Sequence, residues 1–205
     1  MRRPSADRWR SIAWIAAIAL FVSGVGLAIV LMRMDRRASI ATELRLLATH
    51  DDGKGGRQYL DDLATLVRRA DRIVVVEHSS PMDGDNDYAR GLLERNEFVY
   101  GTRSLSPSQR RWFASTIEGL DARTQDVFPA CIAEVHHTLL FYLRDKQISR
   151  LDVCFECGQV LWQGSRADPP WSIYPGLALV IDEVGLHPKR DWKKLASERV
   201  AAMVR

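Results

Sequence analysis

Two thiols three residues apart are the clearest chemical feature of this sequence of 205 residues. Cys154 and Cys157 stand in the stretch VCFECG, with Gly158 directly behind the second thiol. In a flat strand, residues at an odd separation face opposite sides, so the two thiols would diverge. If the chain instead bends into a tight turn, both sulfurs can converge on one point, and glycine allows the backbone that such a turn needs.

Zinc is the first ligand that this motif suggests, because C-x-x-C-G resembles one half of a zinc ribbon site. The second half is missing, since the sequence holds one further cysteine and no second C-x-x-C. A hairpin before the motif would bring two histidines across from it and the third cysteine close to them. The hypothesised zinc site therefore consists of Cys131, His136, His137, Cys154 and Cys157.

A structural disulfide is the plain alternative for the same cysteines, and an oxidising compartment would favour it. Cys131 can pair with Cys154 or with Cys157, and either pairing leaves one thiol over. A redox disulfide between Cys154 and Cys157 is the third interpretation. It needs a thiolate of low pKa, which thioredoxin-like enzymes obtain from a helix N-terminus, whereas this motif lies in a β segment. The residues alone leave all three open.

A second constellation is the stretch DGDNDYARGLLE, which follows a calcium-loop template in part. Asp83, Asp85, Asp87 and Glu94 fall at positions 1, 3, 5 and 12 of that template. Tyr88 occupies the sixth position, where glycine normally makes the sharp turn. The competing interpretation is that the acidic residues cap a short helix and complement its dipole.

Two broad function classes find no support in the sequence. The formal net charge of +3 is accounted for by four arginines and one aspartate in residues 1–10, so residues 33–205 are neutral overall and carry no electrostatic signature of nucleic-acid binding. Hydrolase and nucleotide-binding signatures such as G-x-S-x-G, H-E-x-x-H and a phosphate-binding glycine loop are also absent. The sequence therefore favours a protein that is not an enzyme.

A membrane anchor is predicted near the N-terminus. Residues 11–32, SIAWIAAIALFVSGVGLAIVLM, contain no charged side chain, and a bilayer core requires about 20 apolar residues of helix. The run is longer than the apolar region of a cleaved signal peptide and has no small-x-small cleavage pattern behind it. Four arginines precede it and three follow at positions 33–37, which favours a cytoplasmic N-terminus.

These features predict the domain organisation. It comprises a cytoplasmic tail (1–10), a transmembrane helix (11–32), a helical stalk (33–55) and an exported domain (56–205), periplasmic or extracellular, in a single-pass protein of the inner or plasma membrane.

The exported domain is predicted to be α+β, with an antiparallel sheet packed by helices. The run RIVVVEH has the β-branched composition of a buried strand. Two apolar-rich runs around Arg144–Gln147 indicate a hairpin over about residues 134–157. Ser106, Pro107 and Gln109 form a capping-box start for a helix that ends at Gly119, and two further helices are expected near the C-terminus.

A resemblance adds context to residues 128–188. Cys131, His137, the strand DVCFECG and the late segment GLALVIDEVGLHP resemble a pattern of small exported bacterial proteins of no assigned function. The resemblance implies a single exported domain and brings no activity with it. We expect a non-catalytic envelope interaction or support domain, with the lipid bilayer and another protein as partners, and a metal-binding or thiol-redox protein as the alternative.

Overall fold

The structure is a computed structural model that describes residues 54–95, 97–124 and 131–205. The predicted cytoplasmic tail, the transmembrane helix over 11–32 and nearly all of the stalk lie outside these residues. Within the described ranges, no helix is both long and apolar enough to cross a membrane.

The domain contains a five-stranded sheet in which all paired strands run antiparallel, in the spatial order β2-β1-β3-β4-β5. The predicted α+β class with an antiparallel sheet is therefore confirmed. The strands are β1 (Arg72–His78), β2 (Val99–Ser104), β3 (His137–Leu143), β4 (Lys146–Cys154) and β5 (Gln159–Leu161). The run RIVVVEH forms β1 from end to end, whereas the short strand β5 had not been separated from the predicted hairpin.

Five α-helices accompany the sheet within the described residues. They are α1 (Lys54–Arg69), α2 (Asp87–Arg95), α3 (Pro107–Glu118), α4 (Ile173–Glu183) and α5 (Trp192–Met203), and a short 3-10 turn covers Pro81–Asp83. The predicted start of α3 is confirmed, because Ser106 accepts from the Gln109 amide while the Gln109 side chain accepts from the Ser106 amide.

The hydrophobic core lies between one face of the sheet and the helices α1, α3 and α4. Alternate residues of β1, β3 and β4 point to this face, as the period of two along a strand requires. Their side chains join those of the three helices in one buried cluster that includes Leu60, Phe113, Leu139, Phe141 and Leu177.

The predicted hairpin is confirmed as β3 and β4. Its loop is shorter than expected, because only Arg144 and Asp145 lie between the strands. Both have positive φ, 50° and 63°, which is the backbone of a two-residue type I′ connection. The β pairing begins at His137, so Cys131 to His136 precede the strand as an irregular segment.

Candidate metal centre

A buried polar cluster lies at one end of the sheet. Along β1, the core-facing row of Ile73 and Val75 continues to Glu77, which pairs with His137 at the start of β3. Buried polar groups are costly unless they have partners, so a concentration of them marks a place with a specific role. The buried polar side chains around this end are Glu77, His78, Ser79, Ser80, Asp83, His136, His137 and Thr138.

Asp83 is fixed by the chain that follows β1. The sequence Ser80-Pro81-Met82-Asp83 forms a capping box around the 3-10 turn, and the Ser80 amide donates to Oδ2 of Asp83 at 2.8 Å. Only 1% of Asp83 is exposed. The turn thus directs one carboxylate oxygen to its own backbone and leaves the other, Oδ1, for a different partner.

His136 supplies that partner. Its Nε2 lies 2.8 Å from Oδ1 of Asp83, and only 3% of the residue is exposed. Because an ionised carboxylate only accepts, Nε2 carries the hydrogen in this arrangement. The imidazole is stacked on the Trp192 indole, with 4.4 Å between the ring centroids and 8° between the planes. Trp192, the first residue of α5, therefore sets the plane in which the imidazole lies.

Glu134 completes a group of three. Oxygen atoms of Asp83 and Glu134 and a ring nitrogen of His136 all lie within 4.8 Å of one another. Asp83 and His136 are buried, whereas Glu134 is half-buried. Across the described ranges, this is the one set of three or more His, Cys, Asp and Glu side chains whose ligand atoms converge so closely.

The spacing of the group suits a metal ion. Zinc bonds to nitrogen and oxygen of about 2.0–2.2 Å place adjacent ligand atoms roughly 2.8–3.1 Å apart in octahedral geometry and roughly 3.3–3.6 Å apart in tetrahedral geometry. The observed separation of 2.8 Å between His136 Nε2 and Asp83 Oδ1 is at the lower end of the octahedral range. Tetrahedral coordination would require the two atoms to separate by about half an ångström or more, and the Glu134 oxygen, within 4.8 Å of both, would supply the third ligand.

Two buried oxygen atoms around the group make no hydrogen bond in the described part of the chain. They are the hydroxyl of Tyr100 and Oε1 of Glu77, and the latter lies 3.4 Å from Nε of Arg190 as an ion pair. The pKa of Tyr100 is raised to about 12, by burial first and then by the charges of Asp83 and Glu77, which Arg199 and Arg190 oppose. Charged groups of both signs thus surround this hydroxyl.

His137 lies beside the group without joining it. Its Nε2 donates to the carbonyl oxygen of His187 at 3.0 Å, and its imidazole ring makes T-shaped contacts with the rings of Trp192 and Phe155. The pKa of His137 is lowered to about 3, by burial first and then by His136, so the imidazole is neutral near pH 7. His137 is therefore an uncharged packing residue next to His136 in the chain.

The other face of the sheet carries a separate polar chain. His78 Nε2 lies 3.0 Å from the Thr138 hydroxyl, which donates to Asp152, and Asp152 accepts from Arg150. Glu97 Oε1 lies 2.5 Å from His78 Nδ1. Since adjacent strand residues face opposite sides, this chain lies apart from Glu77 and His137.

The predicted zinc residues are distributed differently from the hypothesis. Cys131 and Cys157 are bonded to each other as a disulfide, with their Cα atoms 6.1 Å apart. Cys154 is outside this disulfide and buried. His136 belongs to the group with Asp83 and Glu134, and His137 lies next to it. The five residues are therefore not gathered around one point, and in this form two of the thiolates are not available as ligands.

The residues of the calcium template have different partners. Asp83 faces His136, whereas Asp85 accepts from the Ser197 hydroxyl at 3.0 Å. Asp87 and Glu94 are exposed on α2, and Asn86 caps this helix by accepting from the Ala89 amide at 2.8 Å. The geometry of this stretch is that of a capped helix.

A surface groove of about 270 Å³ has Asp83 in its lining, but neither Glu134 nor His136. It runs between α2 and α5, and its lining includes Asp83, Gly84, Leu93, Ala196 and Ser197. A small ion could therefore approach Asp83 along this groove as well as past the half-buried Glu134.

Sequence reasoning missed two aspects of this centre. Asp83 and His136 had been assigned to separate hypothetical sites, and Glu134 to none. The Ser-x-x-Asp spacing of Ser80 and Asp83 was the available local signal, because it is the pattern of a capping box. The meeting of Asp83 with His136 depends on the pairing of β1 with β3, for which the sequence carried no local signal.

Comparison of the chain with models of protein families, with curated proteins and with solved structures found no match in any of the three. The resemblance of residues 128–188 to small exported bacterial proteins accordingly remains a prediction.

Proposed function

We propose that this chain is a membrane-anchored, exported protein whose folded domain binds a divalent transition-metal ion, zinc first, through Asp83, Glu134 and His136. The observation that carries the proposal is the convergence of three ligand atoms within 4.8 Å, two of them on buried side chains. They come from the turn after β1 and from the segment before β3, so the fold itself assembles them.

The energetic argument for a cation starts from the cost of buried charge. Removing a carboxylate from water costs several kcal/mol unless the environment compensates. Asp83 and Glu77 are 1% and 2% exposed, with Glu134 half-buried nearby. Arg190, whose Nε lies 3.4 Å from Glu77 Oε1, is itself 31% exposed and compensates Glu77 in part. A divalent cation at the centre would offset the remaining negative charge.

The ligand types narrow the choice of metal. Calcium and magnesium prefer oxygen ligands throughout, whereas an imidazole ligand favours zinc and its neighbours in the first transition row. Three protein ligands would leave a coordination position open, as in sites where zinc also binds water or a small ligand. The groove along Asp83 would provide that position with an approach from solvent.

The anchor is the second part of the proposal and is supported by the uncharged stretch of residues 11–32. The folded domain would then bind its metal outside the cytoplasm, where a protein partner of the envelope remains our expectation. Fractionation tests this part: we expect the full-length chain in the membrane fraction and resistant to extraction with high salt. Recovery in the soluble fraction would contradict the anchor without touching the metal site.

The metal site is tested by titrating the purified full-length chain with zinc after treatment with a chelator. We expect one equivalent of tightly bound zinc, measured by calorimetry and elemental analysis. Glu134→Gln keeps the size of a half-buried side chain while removing its charge, and it should weaken zinc binding at least tenfold. Glu94→Gln, an exposed change of the same type on α2, is the matched control and should leave the affinity unchanged.

A spectroscopic readout ties binding to this location. Trp192 lies against the His136 ring, so a paramagnetic ion such as Co²⁺ at the centre should quench its fluorescence. In Trp192→Phe the quenching should disappear while stoichiometric metal uptake remains. Absence of stoichiometric zinc in the unaltered protein, or equal affinity in Glu134→Gln, would refute the site. A calcium affinity lowered by Glu94→Gln would instead favour the calcium template.

A further inference from the structure

The three cysteines lie together around one turn. The β4–β5 connection, residues 155–158, bends back at Gly158, which has φ +56°. Across this turn the amide N–H of Cys157 points to Sγ of Cys154, with 3.3 Å between nitrogen and sulfur. Cys157 is at the same time bonded to Cys131. A buried thiol therefore sits within one turn of a disulfide.

We propose that these residues form a thiol–disulfide exchange site in which Cys154 is the internal nucleophile. The Cys154 thiol loses its proton to water and its sulfur attacks Sγ of Cys157. The bond from Cys154 to Cys157 forms as the bond from Cys157 to Cys131 breaks. Cys131 leaves with the electron pair as a thiolate and takes a proton from water, so the protein is neither oxidised nor reduced.

The roles follow from the surroundings of each sulfur. The Cys157 N–H donates to Cys154 Sγ, which holds the attacking sulfur beside the residue that it attacks. Cys131 is exposed, so the leaving thiolate is stabilised by water. Cys157 lines a surface groove of about 310 Å³ together with Trp171 and Tyr174, which keeps the central sulfur close to solvent. Residues 155–158 form a turn, and the hydrogen bond from the Cys157 amide to Cys154 Sγ closes it.

The exchange changes which thiol faces solvent. Before it, the thiol is on Cys154, of which 1% is exposed, and after it the thiol is on the exposed Cys131. The substrate class of the site is therefore a disulfide of another molecule. The Cys131 thiolate attacks one of its sulfurs and forms a mixed disulfide, and the other half of that molecule leaves as a thiolate.

The test uses an aromatic disulfide, 5,5′-dithiobis(2-nitrobenzoic acid), on the folded full-length chain, followed by acid quenching and peptide mapping. We expect the adduct on Cys131 and a disulfide between Cys154 and Cys157. Because the exchange is intramolecular, the rate constant for formation of this disulfide should not depend on protein concentration. An adduct on Cys154 with the Cys131–Cys157 bond intact, or no adduct on the folded protein, would overturn the proposal. A chelator is present throughout, so the result does not depend on the metal site.

A variant provides a second measurement. In Cys131→Ser, an exposed change, mild oxidation should join Cys154 to Cys157 and leave no free thiol. Two persistent thiols in a variant with the circular dichroism of the parent would show that the turn cannot close this bond, and would also overturn the proposal. Labelling of the unaltered protein remains decisive if the variant fails to fold.

Discussion

Replacement of Asp83 distinguishes the contribution of its carboxylate to the stability of the fold from its proposed contribution to metal affinity. In the structure, Oδ2 accepts from the Ser80 amide and Oδ1 accepts from His136 Nε2, both at 2.8 Å. Asp83→Ala removes both acceptors from a site that is 1% exposed. Asp83→Asn keeps the size of the side chain and replaces one acceptor by an amide donor.

The two variants should differ in stability. A buried donor left without an acceptor costs about 1–3 kcal/mol, so the two donors stranded in Asp83→Ala predict a loss of about 2–6 kcal/mol. In Asp83→Asn the amide oxygen can still accept from Ser80. The amide N–H can donate to His136 Nε2 once the imidazole adopts its other tautomer. We therefore expect the asparagine variant to lose only about 1 kcal/mol.

Zinc affinity should fall in both variants, although their stabilities differ. Both variants lack the carboxylate charge, so both should bind zinc at least about 100-fold more weakly. Mutation of a residue that only supports a metal ligand costs about 10–100-fold in affinity, and loss of a ligand itself should cost more. The assays are urea unfolding in the presence of a chelator and calorimetric zinc titration, with Asp85→Asn as the exposed control. If Asp83→Asn kept the parent's affinity, or lost affinity only in proportion to its stability, Asp83 would be a structural residue and the ligand assignment would fail.

Three further predictions concern the fold that holds the centre, each measured by urea unfolding. Gly56→Ala should destabilise the domain by about 1–3 kcal/mol, because a Cβ there would overlap the Ala122 carbonyl oxygen, whereas Gly91→Ala in the open interior of α2 should stabilise it by about 0.5–1 kcal/mol. A destabilised Gly91→Ala would contradict this contrast. Arg144→Asn should stabilise the hairpin by about 0.5–1 kcal/mol, because Arg144 has φ 50° and asparagine tolerates positive φ better; no gain would argue against the type I′ loop. The free energy of unfolding should fall on acidification, because His137 has a pKa of about 3 in the folded protein and an ordinary pKa near 6.5 in the unfolded chain. Between these two pH values only the unfolded form is protonated, so the loss should be about 1.4 kcal/mol per pH unit. His137→Gln should remove this slope.

The parts of the fold that follow local rules could be predicted from the sequence. The β-branched run of residues 72–78 became β1, and Ser106 with Gln109 began α3, because strand propensity and helix capping act over a few residues. The hairpin was predicted for the same reason, although its loop proved shorter. Each of these features depends only on residues within its own segment, so the sequence of that segment is enough to predict it.

The candidate centre could not be predicted in the same way, because it depends on which strands become neighbours. Asp83 and His136 are 53 residues apart in the chain, and they meet because β3 pairs with β1 as well as with β4. β3 is hydrogen-bonded on both edges, to β1 and to β4. Its pairing with β4 follows from the local hairpin, whereas its pairing with β1 depends on the arrangement of the whole sheet. Sequence reasoning consequently placed the two residues in different sites.

The segment from Cys131 to His136 connects the two sites that we propose. At one end, Cys131 is bonded to the turn after β4, and at the other, Glu134 and His136 face Asp83 beside β1. The segment is thus held at both ends, by the disulfide at Cys131 and by the start of β3 directly after His136. A tether of this kind limits the positions open to the half-buried Glu134 and lowers the entropy that it must lose to close on a metal. Thiol exchange would release that tether while leaving Asp83 and His136 fixed by the 3-10 turn and by Trp192. If both proposals hold, thiol exchange would change the metal affinity through Glu134, because Glu134 is the half-buried ligand and Asp83 and His136 have partners of their own.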